Sequence, residues 1–258
     1  VNSDPDPFGS QQAFYSGRFG AAVSPYAQSR TVYATGLGLA AARTAPGENH
    51  RLGDGYYTRY EYRLNTAADA IVRYCVRPDG SLLSLGTFPA GQLSVRRTVN
   101  AKDGTDAQRR EVLEYTDPQG RTLASEVRVS ATDRRITYYV YDDFGRQRYI
   151  LPPLGDTFDC SSPKTAQELN AYCYYSEYDE HGLVTRSQSP GADYTLSVYD
   201  RRGRLAMSQS GTQRLSNQWS FTKYDVFDRP VLSGVTTGGT YSSHKAALDT
   251  AAVFSERR

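Results

Sequence analysis

The chain has little of what marks a metal, redox or membrane protein. Its 258 residues include three cysteines, with no Cys-x-x-Cys pair, and three isolated histidines, so no metal-ligand spacing is present. No apolar run approaches the roughly 20 residues of a membrane-spanning helix. The 30 basic and 28 acidic residues nearly cancel, and no basic run exceeds two residues. We therefore predict no metal, no other cofactor, no membrane insertion and no nucleic-acid partner.

Tyrosine and arginine, by contrast, are abundant, and a short motif that contains both recurs four times. In this motif Tyr-Asp is followed after two residues by Gly or Asp, and usually by Arg. Recurrence at intervals of 21 to 37 residues predicts a fold built by repetition. The motif residues are Tyr141, Asp142, Gly145 and Arg146; Tyr178, Asp179 and Gly182; Tyr199, Asp200, Gly203 and Arg204; and Tyr224, Asp225 and Arg229.

Each copy of the motif is typical of a β-hairpin turn. The residues before each Tyr alternate between an apolar face, such as Tyr138 and Val140, and a hydroxyl-rich face, which predicts a half-buried strand. We expect the Asp carboxylate to bind backbone N–H groups and the Gly to supply a positive φ. We expect the Arg near the turn Asp or a neighbouring Tyr ring. Asp228, which replaces the Gly, predicts the weakest copy.

A fifth, divergent copy covers Tyr115–Arg121 and places Thr116 between Tyr and Asp, so we expect Tyr115 to face differently from the other motif tyrosines. Together the copies predict a mainly β fold, a curved antiparallel sheet of consecutive hairpins that forms an open solenoid or shell segment. An irregular N-terminal arm and a short C-terminal helix complete the prediction.

The chain is predicted to have four regions: an irregular arm with short structured pieces over residues 1–55, an N-terminal β region over 56–105, the repeat array over 106–240 and a C-terminal helix over 241–258. The helix itself is expected from His244 on. Further local elements follow from period-two patterns and turn residues. They are strands over Tyr56–Arg63, Ala70–Val76, Leu82–Leu85, Leu93–Val99 and Arg109–Tyr115, a hairpin turn at Pro78–Gly80 and a helical turn over Thr165–Ala171.

Two motifs imitate catalytic signatures without their context. Gly36–Ala41 matches a dinucleotide fingerprint, but Pro46 follows too soon for the required helix, so we predict a turn or packing role. Asp143–Gly145 spells a kinase tripeptide but belongs to the repeat turn. The repeated Asp residues are explained by the turn, so we predict no catalytic residue and no enzyme.

Four side chains outside the motif leave alternatives open. Tyr139 and Tyr174 fall on the hydroxyl-rich face, where they either pack across strands or stack on a ligand. Cys160 and Cys173 flank a polar loop, and they either pair in an exported protein or remain thiols, the buried thiol being the default at Cys173. Cys75 is expected to be a buried thiol.

The recurring Tyr-Asp-x-x-Gly-Arg resembles the YD repeat of Rhs-type proteins over about residues 106–236. The upstream segments Tyr62–Asp69 and Phe88–Leu93 resemble the uncharacterised domain that precedes YD arrays in many Bacteroidetes proteins of this type. The family includes bacterial polymorphic toxins, and the resemblance implies a spiralling β-sheet that forms a hollow shell, often around a C-terminal effector peptide. With four or five copies, this chain is expected to form only a segment of such a shell.

The expected function is therefore structural: part of a β shell, in a secreted or cell-surface protein, that encloses or presents another polypeptide. The expected partners are a polypeptide cargo or further YD repeats of the same longer chain. No signal peptide is present, and the sequence starts at Val1, which indicates a trimmed N-terminus. The first alternative is a glycan-binding module that uses exposed Tyr and Arg, including Tyr139 and Tyr174. The second alternative is a hydrolase acting on polysaccharide.

Overall fold

The structure is a computed structural model that describes residues 29–34, 36, 38–45, 57–99, 111–128, 133–153 and 160–250, together with residues 13, 17 and 18. The fold is mainly β, as predicted. The described residues form sixteen strands: β1 (Thr31–Tyr33), β2 (Ala40–Arg43), β3 (Thr58–Leu64), β4 (Val72–Val76), β5 (Leu82–Thr87), β6 (Ser94–Val99), β7 (Glu111–Thr116), β8 (Thr122–Arg128), β9 (Arg134–Tyr141), β10 (Gln147–Leu151), β11 (Tyr174–Tyr178), β12 (Val184–Gln188), β13 (Thr195–Tyr199), β14 (Leu205–Gln209), β15 (Gln218–Tyr224) and β16 (Pro230–Thr237).

The chain divides into two compact units that do not follow chain order. Unit 1 combines Val1–Thr66 with Ala90–Arg135, and unit 2 combines Ala67–Pro89 with Ile136–Arg258. The β4–β5 hairpin therefore belongs to unit 2, although the segments before and after it in the sequence belong to unit 1. The predicted region boundaries at residues 55, 105 and 240 remain predictions.

Unit 1 is an antiparallel run of strands in the order β1, β2, β3, β6, β7, β8. Val95, Tyr115 and Ala124 stand opposite one another on β6, β7 and β8, and all three are buried. The Tyr115 hydroxyl donates to the buried carboxylate of Glu126 at 2.9 Å. Tyr115 thus lies on the core face, and Thr116 occupies the place that Tyr has in the other copies, which confirms the expected change of direction.

Unit 2 contains β9 from Ile136 on and the strands β10 to β16, each antiparallel to the next in chain order. These are the predicted consecutive hairpins, each with a register shift beside the motif Tyr. The predicted apolar face is the buried one, because alternate side chains point to the same side of a strand. Its buried members are Val140, Cys173, Tyr175, Val198 and Trp219.

The β4–β5 hairpin completes the first core of unit 2. Leu82 packs in one buried cluster with Val140, Tyr149, Leu151, Cys160, Leu169, Cys173 and Tyr175. The Tyr149 hydroxyl donates to the Gly80 carbonyl at the hairpin turn, at 2.6 Å. Gly80 has φ +81°, as the predicted turn at Pro78–Gly80 requires. Leu82 also exchanges backbone hydrogen bonds with Lys164, which anchors the turn-rich segment over Thr165–Ala171.

The remaining local predictions agree with the structure where it describes them. The five predicted strands correspond to β3, β4, β5, β6 and β7, and their ends agree within two residues. The predicted strand residues 56, 109 and 110 lie outside the described residues. Gly36 and Gly38 have positive φ and lie between β1 and β2, so the dinucleotide-like motif is a turn between two antiparallel strands. The C-terminal helix covers Tyr241–Thr250, and its last predicted residues, 251–258, lie outside the described residues. A short helix, Gly211–Leu215, was not predicted.

Candidate functional site

The repeated turn is built around the Asp carboxylate. In the third copy, Asp200 Oδ1 accepts hydrogen bonds from the backbone N–H groups of Arg202 at 2.9 Å and Arg204 at 3.0 Å. Gly203 closes the turn with φ +75° and donates to the Asp200 carbonyl. The same contacts, to the N–H groups two and four residues on, recur at Asp117, Asp142, Asp179 and Asp225.

In two of the copies, the motif Arg ties its turn to the next hairpin. Arg146 Nε donates to Asp142 Oδ2 at 2.9 Å, and its Nη1 donates to the Asp179 carbonyl of the following turn at 2.9 Å. Arg204 repeats this geometry, with Nε on Asp200 Oδ2 at 2.8 Å and Nη1 3.5 Å from the Asp225 carbonyl. One guanidinium thus binds two successive turns, which fixes their spacing.

The motif Tyr ties each hairpin to the previous one. Its hydroxyl donates to the carbonyl of the first residue of the preceding return strand, always five residues after the preceding Asp. The three contacts are Tyr178 to Gln147 at 2.8 Å, Tyr199 to Val184 at 3.0 Å and Tyr224 to Leu205 at 2.8 Å. In two of them the previous Arg also lies over the ring: Arg146 is 5.2 Å from Tyr178, and Arg204 is 4.8 Å from Tyr224.

Two copies depart from the pattern in ways that the contacts explain. Leu183 stands where the second copy lacks Arg, and it lies against Gly203 of the next turn. Asp228 adopts φ +63° in place of a Gly. Its carboxylate also pairs with Arg202 at 2.9 Å and Arg204 at 2.7 Å. Asp228 therefore adds a link to the previous hairpin, which the sequence prediction of a weak copy did not include.

The charge of the last turn is stabilised locally. Arg229 Nε donates to Asp225 Oδ2 at 2.7 Å. The side-chain hydrogen bond from Arg229 lowers the pKa of Asp225 below its ordinary value, with the backbone N–H groups of Arg229 and Phe227 acting in the same direction. Each turn carboxylate is thus occupied by donors of its own turn.

The seam between β12 and β13 has a second set of contacts that the sequence analysis missed. The Tyr194 ring lies between two guanidinium groups, 3.9 Å from Arg186 and 3.6 Å from Arg214. Arg214 pairs with Asp193 at 2.8 Å, and this hydrogen bond lowers the Asp193 pKa. Arg186 pairs with Glu177 at 3.4 Å. The repeat spacing does not predict this cluster, because Arg214 lies in the short helix Gly211–Leu215, outside the repeated motif.

The two candidate ligand-stacking residues lie on one face. Tyr139 on β9 and Tyr174 on β11 both stand opposite Ile150 of β10, so the three side chains form a row across three strands. Tyr174 is 45 % exposed, whereas Tyr139 is half-buried. Tyr174 therefore has the larger exposed surface, and the choice between cross-strand packing and ligand stacking stays a prediction for both residues.

The cysteines and the other titratable groups do not assemble a further centre in the part of the chain that is described. Within that part, no group of three or more His, Cys, Asp or Glu side chains is placed to hold a metal ion. Cys75, Cys160 and Cys173 are all thiols. Cys173 donates to the Leu169 carbonyl at 3.3 Å, and burial raises its pKa to about 12. No helix among the described residues is long and apolar enough to cross a bilayer.

The chain resembles solved structures, one of which is described below. No protein-family model matches the sequence, and no curated protein matches it. One solved structure, described as the crystal structure of TcdB2-TccC3-TEV, resembles the chain with a TM-score of 0.40 and 16 % identity. The likeness covers 81 % of this chain but only 10 % of that one. At this TM-score and identity, it says nothing about the function of this chain.

Proposed function

We propose that the chain is a structural segment of a YD-repeat protein, forming part of a β wall that encloses or presents another polypeptide. The observation that carries this proposal is the repeated Tyr–Asp–Arg contact between successive hairpins. Each motif side chain is used to hold the array together: Asp closes its own turn, Arg binds the next turn, and Tyr binds the previous strand. Repetition of this kind supports a scaffold whose order extends through nearest-neighbour contacts.

The same contacts support a non-enzymatic function. General acid–base chemistry needs a carboxyl group that is free to exchange a proton with a substrate. The recurring carboxylates of Asp142, Asp200 and Asp225 are each bound by two backbone N–H groups and one guanidinium. A wall of this type would act outside the cell or at its surface, with the cargo or further YD repeats as its partners.

Truncation tests the wall proposal. A chain cut after Gln209 loses β15, β16 and the C-terminal helix, and uncovers the β14 edge. We expect it to dimerise through strand pairing or to lose solubility, as sedimentation velocity will show. The matched control is a chain cut after Gly239, which loses only the helix. A truncated chain that stays monomeric and as stable as the control would contradict the proposal.

The Tyr row supports a second candidate function, a glycan-binding module. Tyr139 and Tyr174 are separated by one strand, hence by about 10 Å, and aromatic rings at that distance suit stacking on neighbouring sugars. On a glycan array, saturable binding that is lost in Tyr174→Ala would favour this candidate. Tyr172→Ala is the control, because Tyr172 is equally exposed but lies outside the row. An array without binding would leave the wall as the better account.

A further inference from the structure

The last hairpin of unit 2 presents the groups that earlier hairpins use to bind their successors. In two of those hairpins, two groups meet the next Tyr: the guanidinium of the motif Arg and the carbonyl of the first residue of the return strand. Arg146 and Gln147 meet Tyr178 in this way, at 5.2 Å and 2.8 Å. The corresponding residues of the last hairpin are Arg229 and Pro230, at the start of β16.

Arg229 has fewer ring contacts and fewer hydrogen-bond partners than Arg146 among the described residues. Arg146 lies between the rings of Phe144, at 4.7 Å, and Tyr178. Arg229 has only the first of these two rings, Phe227 at 5.2 Å, and its Nη1 has no acceptor among the described residues. The side chain of Arg229 is 61 % exposed, against 24 % for Arg146 and 11 % for Arg204. At Arg146 and Arg204, the ring of the following Tyr lies over the guanidinium, and no such ring lies over Arg229 among the described residues.

The β16 strand also lacks three of the features that block strand addition: short length, charged side chains and proline within the strand. Sheet edges are usually protected by charged side chains, by proline within the strand, by short length or by a covering element. β16 is eight residues long and carries no charged residue, and its only proline is its first residue. It is the last strand of its sheet in the described chain. Its apolar side chains Val231, Leu232 and Val235 are each at least two-fifths exposed.

We propose that the outer edge of β16 is a binding site for a β-strand that ends in Tyr-Asp and is supplied by a separate polypeptide. The incoming strand runs antiparallel to β16. Its Tyr hydroxyl donates to the Pro230 carbonyl, and its ring covers the free side of the Arg229 guanidinium. Arg229 Nη1 donates to the carbonyl of the incoming Asp. This inference rests on the proposed wall function and names the chemistry of the partner at its open edge.

The recognition is selective for Tyr over Phe, because only Tyr supplies the hydroxyl. A hydrogen bond to an otherwise solvated carbonyl contributes little, so we expect Phe in place of Tyr to weaken binding by about 3- to 10-fold. Loss of the guanidinium removes both the ring contact and the bond to the incoming Asp carbonyl. We expect that change to weaken binding by at least 10-fold.

A peptide that copies one repeat tests the proposal on the full chain. The probe is a fluorescein-labelled peptide with the sequence of Thr195–Gln209, which ends its first strand in Tyr199-Asp200, and the readout is fluorescence anisotropy. We expect saturable binding that is weaker for the peptide with Tyr199→Phe. In the protein, Arg229→Gln should weaken binding, while Arg135→Gln should not, because Arg135 is equally exposed but belongs to β9 and pairs with Asp133. The fluorescence of Trp219 in β15 confirms that each variant is folded.

The outcomes separate this inference from the wall proposal. No saturable binding, or equal affinity of the Tyr and Phe peptides, would overturn the β16 site even if truncation after Gln209 exposes a sticky edge. In that case the wall proposal stands, and the outer edge of β16 does not bind a further strand. Selective binding of the Tyr peptide that is weakened only by Arg229→Gln confirms the site. This comparison of peptides does not depend on whether the Arg229→Gln protein folds.

Discussion

Replacing Asp200 with Asn isolates the contribution of the Asp–Arg pair from that of the turn. Asn keeps the Oδ1 acceptor for the backbone N–H groups of Arg202 and Arg204. It replaces Oδ2 with an NH₂ group, which then faces the Nε and Nη2 donors of Arg204 at 2.8 Å and 2.7 Å. The substitution therefore removes the charge pair while it leaves the turn hydrogen bonds in place.

The second copy provides a matched control in Asp179→Asn. Asp179 makes the same Oδ1 contacts, to the N–H groups of His181 at 3.0 Å and Leu183 at 2.9 Å. Because Leu183 occupies the Arg position, no guanidinium among the described residues bonds to the Asp179 carboxylate; Arg146 binds the backbone carbonyl of Asp179 instead. The two substitutions are chemically identical, and they differ in whether a motif Arg is present.

The expected magnitudes follow from burial. The Asp200 and Arg204 side chains are 8 % and 11 % exposed, and removing one partner of a buried pair costs about 3–5 kcal/mol. Arg204 retains a second carboxylate, Asp228 at 2.7 Å, which offsets part of the loss. We therefore expect Asp200→Asn to lower the free energy of unfolding by about 2 kcal/mol, and Asp179→Asn by under about 0.5 kcal/mol.

Urea denaturation followed by Trp fluorescence measures this difference. The chain has a single Trp, Trp219, and it is buried in β15, next to the hairpin that contains Asp200. The signal therefore reports on the hairpin array of unit 2. If both substitutions lower the free energy of unfolding equally, the Asp–Arg pair does not hold the array together, and the reasoning is refuted.

Three further outcomes are expected. Tyr224→Phe should lower the free energy of unfolding by about 1 kcal/mol, measured by urea denaturation, because the carbonyl that it binds loses its donor. Asp225 has a lowered pKa, so its stabilising effect should be complete at neutral pH and be lost as the pH falls below about 4. Carboxyl NMR titration of the protein and of Arg229→Gln, in which that pKa should return toward its ordinary value, checks this. In a thiol-reagent assay, half-buried Cys75 should react before Cys173, whose pKa is raised to about 12; simultaneous reaction would show that the core opens as a whole.

The local structure of the repeat could be predicted from the sequence because it depends on neighbouring residues. Asp, Gly and Arg of one motif lie within five positions, so the turn, its positive φ and the Asp–Arg pair follow from local chemistry. The alternation before each Tyr likewise determined the buried face, as Val198 and Trp219 show. The expectation that Arg contacts either its own Asp or a neighbouring Tyr was confirmed for both partners at Arg204.

The contacts between hairpins were harder to predict, because they depend on the register between separate segments. The carbonyl that Tyr224 binds is known only once β14 and β15 are aligned. The second link of Asp228 and the stacking on Tyr194 depend in the same way on residues 24 and 20 positions away. The placement of the β4–β5 hairpin in unit 2 arises from packing against Tyr149 and Leu151, which no local pattern encodes.

Because Leu183 stands in place of the motif Arg, the arginine contacts between β12 and β13 lie at the ends of these strands that are far from the turns. At the turn ends of β12 and β13, the described residues supply the Tyr199 hydroxyl and no guanidinium that bridges the two turns. At the opposite ends, the Tyr194 ring lies between Arg186 and Arg214. Two strands that are held more strongly at one end separate first at the other end. We therefore expect β12 and β13 to separate first at their turn ends, where the Tyr199 hydrogen bond joins them, and to stay together at the ends that carry the Tyr194 stack.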